Sequence, residues 1–193
     1  MLSKTKEPVY QYRKEPNYVM LSLMLRDTIR VLQKHPGAEE MPDGFICPGR
    51  DVEMMPAIAA LNYLCGVKTQ WSCQGNHKNK KLKPNHAYLL LPEGEAFPDD
   101  LVLQMEKHGF SVFLKNNFDQ ENGHVIAGTR QLLKAKFDDI MSNEAKEALN
   151  KKFLATLNGW AIQKISQHVP HIQNNIKNVD IQLLLNFFLK ERH

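Results

Sequence analysis

Val67-Lys68-Thr69-Gln70-Trp71-Ser72-Cys73-Gln74-Gly75-Asn76-His77 is the stretch on which the fold turns. From Val67 to Cys73 the side chains alternate with the period of two that marks a half-buried strand. Val67, Thr69, Trp71 and Cys73 fall on one side, Lys68, Gln70 and Ser72 on the other. A strand here demands a sheet, so a purely helical bundle is excluded. It ends in small polar residues, and the ends of strands are where α/β proteins form ligand crevices. Gly75 lets the backbone take a positive φ or approach a ligand closely.

Upstream, the spacing predicts a helix from Asn17, its N-cap, to about Gln33. Val19, Leu21, Leu25, Ile29 and Leu32 repeat along one face, and Pro36-Gly37 stops it. A turn-rich segment leads to Phe45-Ile-Cys-Pro-Gly-Arg-Asp51, where Asp51 is placed to cap a second helix running to Leu64. Met54, Ile58, Leu61 and Cys65 share a face of that helix, Pro56 lies near its first turn and Gly66 supplies the left-handed stop. A helix and a strand of similar length running antiparallel return the chain to its starting level. Arg50 and Asp51 are therefore expected beside Ser72 to Gly75, where a helix N-terminus favours an anion.

Downstream, His86 to Leu91 reads as a short apolar strand and Pro98-Asp99 opens a helix through His108. Phe110 to Leu114 and Val125 to Ala127 read as further strands. From Leu132 the chain reads as wholly helical, with Asn143 capping a long helix, Pro170 breaking it and a last apolar helix over Val179 to Leu189. The expected architecture is α/β (α+β): a mixed β-sheet covered by helices in an α/β domain, residues 1–131 with an N-terminal tail and helix. A helical C-terminal part, residues 132–193, packs on it. The last helix either packs on this domain or pairs two copies as a homodimer.

With 193 residues, 42% hydrophobic and 24% charged, the chain has the composition of an ordinary globular domain. No window approaches the roughly 18 apolar residues of a membrane span, and Met-Leu-Ser-Lys-Thr-Lys-Glu is not a signal peptide, so no membrane association and a cytoplasmic location are expected. Cys47, Cys65 and Cys73 are read as free thiols of a reducing compartment. A net charge of +4 is far from the basic stripe of a dedicated nucleic-acid binder, but Lys78, Lys80, Lys81 and Lys83 cluster directly after the Cys73 loop as a phosphate-facing rim. Cys47, Cys73, His77 and His86 are metal-ligand types without metal-ligand spacing, and no metal is expected.

The candidate catalytic residues are Asp51 and Cys73. Pro48, Gly49, Arg50, Ser72, Gln74, Gly75, His77 and Arg130 are the candidate ligand-binding residues. Asp51 would orient or hydrogen-bond a ligand, Ser72 and Gln74 would recognise it, and Arg50 or Arg130 would counter its negative charge. A thiol at Cys73 with His77 or His86 as base would be nucleophile chemistry.

The order Cys47-Pro48-Gly49-Arg50-Asp51, an apolar helix ending Leu61-Asn62, then Thr69-Gln-Trp-Ser-Cys-Gln-Gly75 resembles the wybutosine-synthesising tRNA methyltransferase family that acts third in its pathway. The similarity covers about residues 43 to 165. Members carry a Ser-Pro-Lys-Gly loop before an Asp-initiated helix, and a Thr-x-Ser-Ser-Cys-Ser-Gly-Arg signature. Here Gln70-Trp71 replace its first small residues and Asn76 stands where its arginine would be. The resemblance implies an α/β fold that holds S-adenosylmethionine and methylates a modified guanosine in tRNA. The alternatives are a non-catalytic module that binds or sequesters RNA or a nucleotide, and an interaction protein that dimerises through its C-terminal helices.

Overall fold

The computed structural model describes residues 15–75, 85–115, 120–121, 124–125, 129–175 and Leu183. Helix α1 spans Tyr18–Lys34, and the Asn17 side chain accepts the Met20 N–H at 3.1 Å, as its capping role requires. Leu21, Leu25, Ile29 and Leu32 are buried along one face, whereas Val19, in the first turn, is 53% exposed.

Helix α2 is a composite. It begins as a 3-10 turn at Val52–Met54, is α-helical over Met55–Ala59 and widens into a π turn at Ala60–Leu64. Every residue from Met54 to Leu61 is buried, because α1 packs on one side and α4, defined below, on the other. The sequence pattern agrees: Met54-Met-Pro-Ala-Ile-Ala-Ala-Leu61 has no polar face to offer water. Asp51 occupies the N-cap position but its carboxylate makes no capping bond, contrary to expectation.

The strands are β1 Trp71–Cys73, β2 Tyr88–Leu90, β3 Ser111–Lys115, β4 Gln120–Glu121, β5 His124–Val125 and β6 Arg130–Lys134. The main sheet has the order β1-β2-β6-β3, and each pairing is antiparallel. The fold is therefore α+β, and the sheet expected to be mixed is antiparallel. β4 pairs with β5 in a separate two-stranded ribbon. Helix α3, Asp99–Lys107, packs beside β3.

Two boundaries move. β6 pairs with both β2 and β3, so the chain is not wholly helical from Leu132; the helical part begins at α4, Asn143–Ser166. Ser142, not Asn143, caps α4, accepting the Ala145 N–H at 3.2 Å. Pro170 does not end that helix. The turn falls at Gln167–His168, and Pro170 sits in the first turn of α5, Val169–Asn175, where a missing N–H costs nothing.

Sheet residues divide by face. Ala87, Leu89, Leu91, Leu133 and Ala135 belong to the main core with the helices, while Cys73, Tyr88, Leu90 and Leu132 form a second cluster flanked by Trp71 and Phe113. α5 and the turn before it are held to α1 by a hydrogen bond between Tyr18 Oη and His168 Nδ1 at 3.0 Å and by stacking of Tyr18 on His171. Leu183 lies half-buried against the same core; the rest of the predicted last helix lies outside the described residues, as do Ile126 and Ala127 of the predicted fifth strand. Among the described residues no helix is long and apolar enough to cross a membrane.

Candidate functional site

The loop before α2 closes on itself. Met41 N–H donates to the Arg50 carbonyl at 2.8 Å and Val52 N–H to the Glu39 carbonyl at 2.9 Å, pairing Glu40 with Asp51. Gly49, at φ +67°, makes the reversal that lets its N–H reach the Met41 carbonyl. Pro48 and Gly49 are exposed at the tip, and Arg50 and Asp51 turn inward, half-buried.

That inward turn brings them to β1, as the sequence predicts. Arg50 Nη1 donates to the Gln70 carbonyl at 3.2 Å. The Asp51 carboxylate accepts the backbone N–H of Gln74, and the Glu53 N–H donates to Gln74 Oε1 at 3.4 Å. Arg130, the first residue of β6, donates from Nη1 to Gln70 Oε1. Asp51 thus meets Gln74, while Arg50 and Arg130 both meet Gln70. The polar chain continues into α4, where the buried Asn158 donates from Nδ2 to the Glu53 carbonyl at 2.9 Å.

Asp51 is the most perturbed group of this cluster. Burial pushes its carboxyl up to about 7, and the charges of Glu40 and Glu53 push the same way, against the Gln74 N–H and the Arg50 guanidinium. A carboxylate that titrates near neutrality can take or give a proton there.

Ser72 and Cys73 do not point into one space. In the register Ser72 stands opposite Leu89, in the helix-facing core, while Cys73 stands opposite Tyr88 on the other face. Ser72 and Gln74 share the side of α2; Cys73 is only 9% exposed within its own apolar cluster, with its Sγ 3.4 Å from the Gly75 N–H it accepts. Burial raises the Cys73 thiol to about 11, with the Gly75 N–H opposing and Asp51 adding. The thiol is neutral at physiological pH, so the structure gives Cys73 a wall position in place of a nucleophile's. Iodoacetamide at pH 8, where the thiolate fraction is on the order of one in a thousand, is expected to leave Cys73 unmodified in native protein and to label it in urea. Rapid native labelling in a mass spectrum would restore the nucleophile.

Gly75 takes φ +81°, but what approaches it is protein. Its α-carbon abuts the Asn150 amide and the Ala87 backbone nitrogen. Asn150, fully buried on α4, accepts the Ala87 N–H at 2.9 Å and donates to the Asn85 carbonyl at 2.8 Å. His77 and the rim lysines Lys78, Lys80, Lys81 and Lys83 lie outside the described residues. Among the described residues no group of His, Cys, Asp and Glu could hold a metal ion.

Sequence reasoning missed Gln70, Asn150 and Asn158. Asn158 leaves a signal, since it interrupts the apolar stripe of Leu154, Ala161, Ile162 and Ile165 on α4, whereas Asn150 follows Lys146 and Glu147 and leaves none. Gln70 leaves none.

Comparison with protein-family models, curated proteins and solved structures found no match to this chain.

Proposed function

We propose that the junction of the Pro48-Gly49 loop with the end of β1 binds a nucleoside-type ligand and serves S-adenosylmethionine-dependent methyl transfer to RNA in the cytoplasm, as in the tRNA methyltransferase family whose loops it resembles. The observation that carries this reading is the half-buried Asp51, titrating near 7 between a guanidinium and the Gln74 backbone. A group perturbed by burial beside a specific charge partner is a functional-site candidate.

The donor set suits such a cofactor. Asp51 matches an ammonium or ribose hydroxyls, Arg50 a carboxylate, and the Gln74 amide a base edge. S-adenosylmethionine, when bound, supplies an electrophilic methyl group. With the cofactor bound, Asp51 would orient and hydrogen-bond it, Arg50 would hold its carboxylate, and Arg130 would face the anionic RNA backbone.

Calorimetric titration of S-adenosylmethionine into the full chain is expected to give a saturable heat that Asp51→Asn weakens at least tenfold. No heat at millimolar cofactor would remove the methyltransferase reading. The second reading, a non-catalytic RNA- or nucleotide-binding protein, draws on the cationic end of the sheet, where Lys115 stands opposite Arg130. It predicts RNA binding without cofactor heat.

A further inference from the structure

We propose that Tyr18, His168 and His171 form an acid-sensitive clasp, which holds α5 on α1 at neutral pH and loosens it when His168 takes up a proton. None of these residues belongs to the proposed ligand site, so the inference stands apart from that reading. Helix α5 has seven residues, well short of the roughly 12–15 that a helix needs to persist alone in water. Its order therefore depends on what it touches. Ile172 is buried in the main core, its carbonyl takes the Ser22 hydroxyl of α1 at 3.3 Å, and further ties run through the Tyr18 ring.

Tyr18 meets both imidazoles. Its hydroxyl lies 3.0 Å from His168 Nδ1, and its ring stacks on His171 with centroids 4.8 Å apart. While His168 is neutral with its proton on Nε2, the phenol donates to Nδ1. Protonation puts a hydrogen on Nδ1, so the bond must reverse and the phenol proton loses that acceptor. The new charge also meets unfavourable neighbours. The two imidazole rings lie 6.4 Å apart, inside the screening length of about 8 Å at physiological salt, and Lys164 stands one helical turn before His168. Partial burial, then His171 and Lys164, hold the His168 imidazole below its ordinary value. Around the cluster α1 supplies Tyr18, α4 supplies Lys164 and α5 supplies His171; Asp100, the acid of α3, is engaged by Lys164 at 2.6 Å and by the Trp160 indole at 3.2 Å.

The closed clasp disfavours the charged imidazole, so the loosened form binds more protons. Docking is complete above pH 6.5 and weakens as pH falls below it. Asp51 acts in the opposite sense, because its raised carboxyl makes the whole fold more stable on acidification from 7 towards 4. Hydrogen exchange of the full chain, corrected for the intrinsic pH dependence of amide exchange, reads the two apart. Between pH 7.5 and 5.5 the protection of α5 is expected to fall roughly three- to tenfold, about tenfold being the limit for one histidine barred from protonation a pH unit below its ordinary value. The middle of α4 keeps or gains protection over the same range. His168→Asn, which retains an acceptor near the Nδ1 position and cannot charge, is expected to reduce the change at α5 to less than about twofold. Proton NMR of the parent, with the His168 signal assigned by its absence from that variant, should place the midpoint below 6.5. The midpoint decides the question even where the variant loosens α5 outright. Protection of α5 that does not vary with pH in the parent, a His168 midpoint at or above 6.5, or an undiminished loss in His168→Asn overturns the clasp.

Discussion

Asp51→Asn is expected to raise the stability of the protein above pH 7 while weakening at least tenfold the binding for which the site is proposed. The carboxyl titrates at about 7 in the fold and at 3.8 in an unperturbed chain. Below pH 4 both states hold the proton and the group contributes nothing to pH dependence. Between about 4 and 7 the unfolded chain ionises first, so the native state binds more protons and stability falls as pH rises; above 7 the loss is complete and constant. At about 1.4 kcal/mol per tenfold in proton affinity the loss is bounded near 4 kcal/mol, and residual solvent access brings the expectation to roughly 2–3 kcal/mol. Asparagine retains an acceptor for the Gln74 N–H and has no proton to lose. Urea midpoints for parent and variant should therefore converge below pH 4 and separate at pH 8 in favour of the variant. A variant less stable than the parent at pH 8 would mean that the ionised carboxylate stabilises the fold, and the argument for a functional Asp51 would fail.

The largest loss of stability is expected from Gly75→Ala. A Cβ there would overlap the Asn150 amide and stand 2.7 Å from the Ala87 backbone nitrogen, and the residue holds φ +81°. An L-residue in that region costs roughly 1–2 kcal/mol, overpacking costs roughly 1–3 kcal/mol, and a displaced Asn150 leaves the Ala87 N–H without its acceptor. Together these predict a loss of roughly 3–5 kcal/mol, read as a lower urea midpoint. Gly49→Ala is the control: φ is +67° but nothing lies within 4 Å of the added carbon, so only about 1 kcal/mol should be lost. Equal effects at the two positions would show that backbone conformation alone decides, and that the contact between β1 and α4 is slack.

The contrast between these glycines bears on what a sequence can say. Both read as turn residues, and both take positive φ. Only the neighbours differ, and Asn150 is 75 positions away from Gly75. The strands follow the same rule. β2 and β3 were legible as short apolar runs between turn residues, but β6 was not. Its Leu132 and Leu133 are buried on opposite faces between β2 and β3, which erases the alternation that identifies a one-sided strand.

Local chemistry therefore determined helix α1 with its Asn17 cap, the start of α3 at Asp99, the opposite facing of Ser72 and Cys73, and the approach of Arg50 and Asp51 to the segment leading through β1. The strand expected over Val67 to Cys73 forms only at Trp71–Cys73, and Val67 packs in the helix-facing core, apart from Trp71 and Cys73. Cap bonds, turn angles and residue periodicity act over a few residues, so they are written in the order of the chain. The tertiary structure alone decided that the Asp51 carboxylate meets the Gln74 N–H instead of capping α2, and that Arg50 and Arg130 both bond to Gln70. Hydrogen bonds and short-range Coulomb interactions depend on a few ångströms of separation, and residues 20 and 60 positions apart come within that range only when sheet and helices are packed.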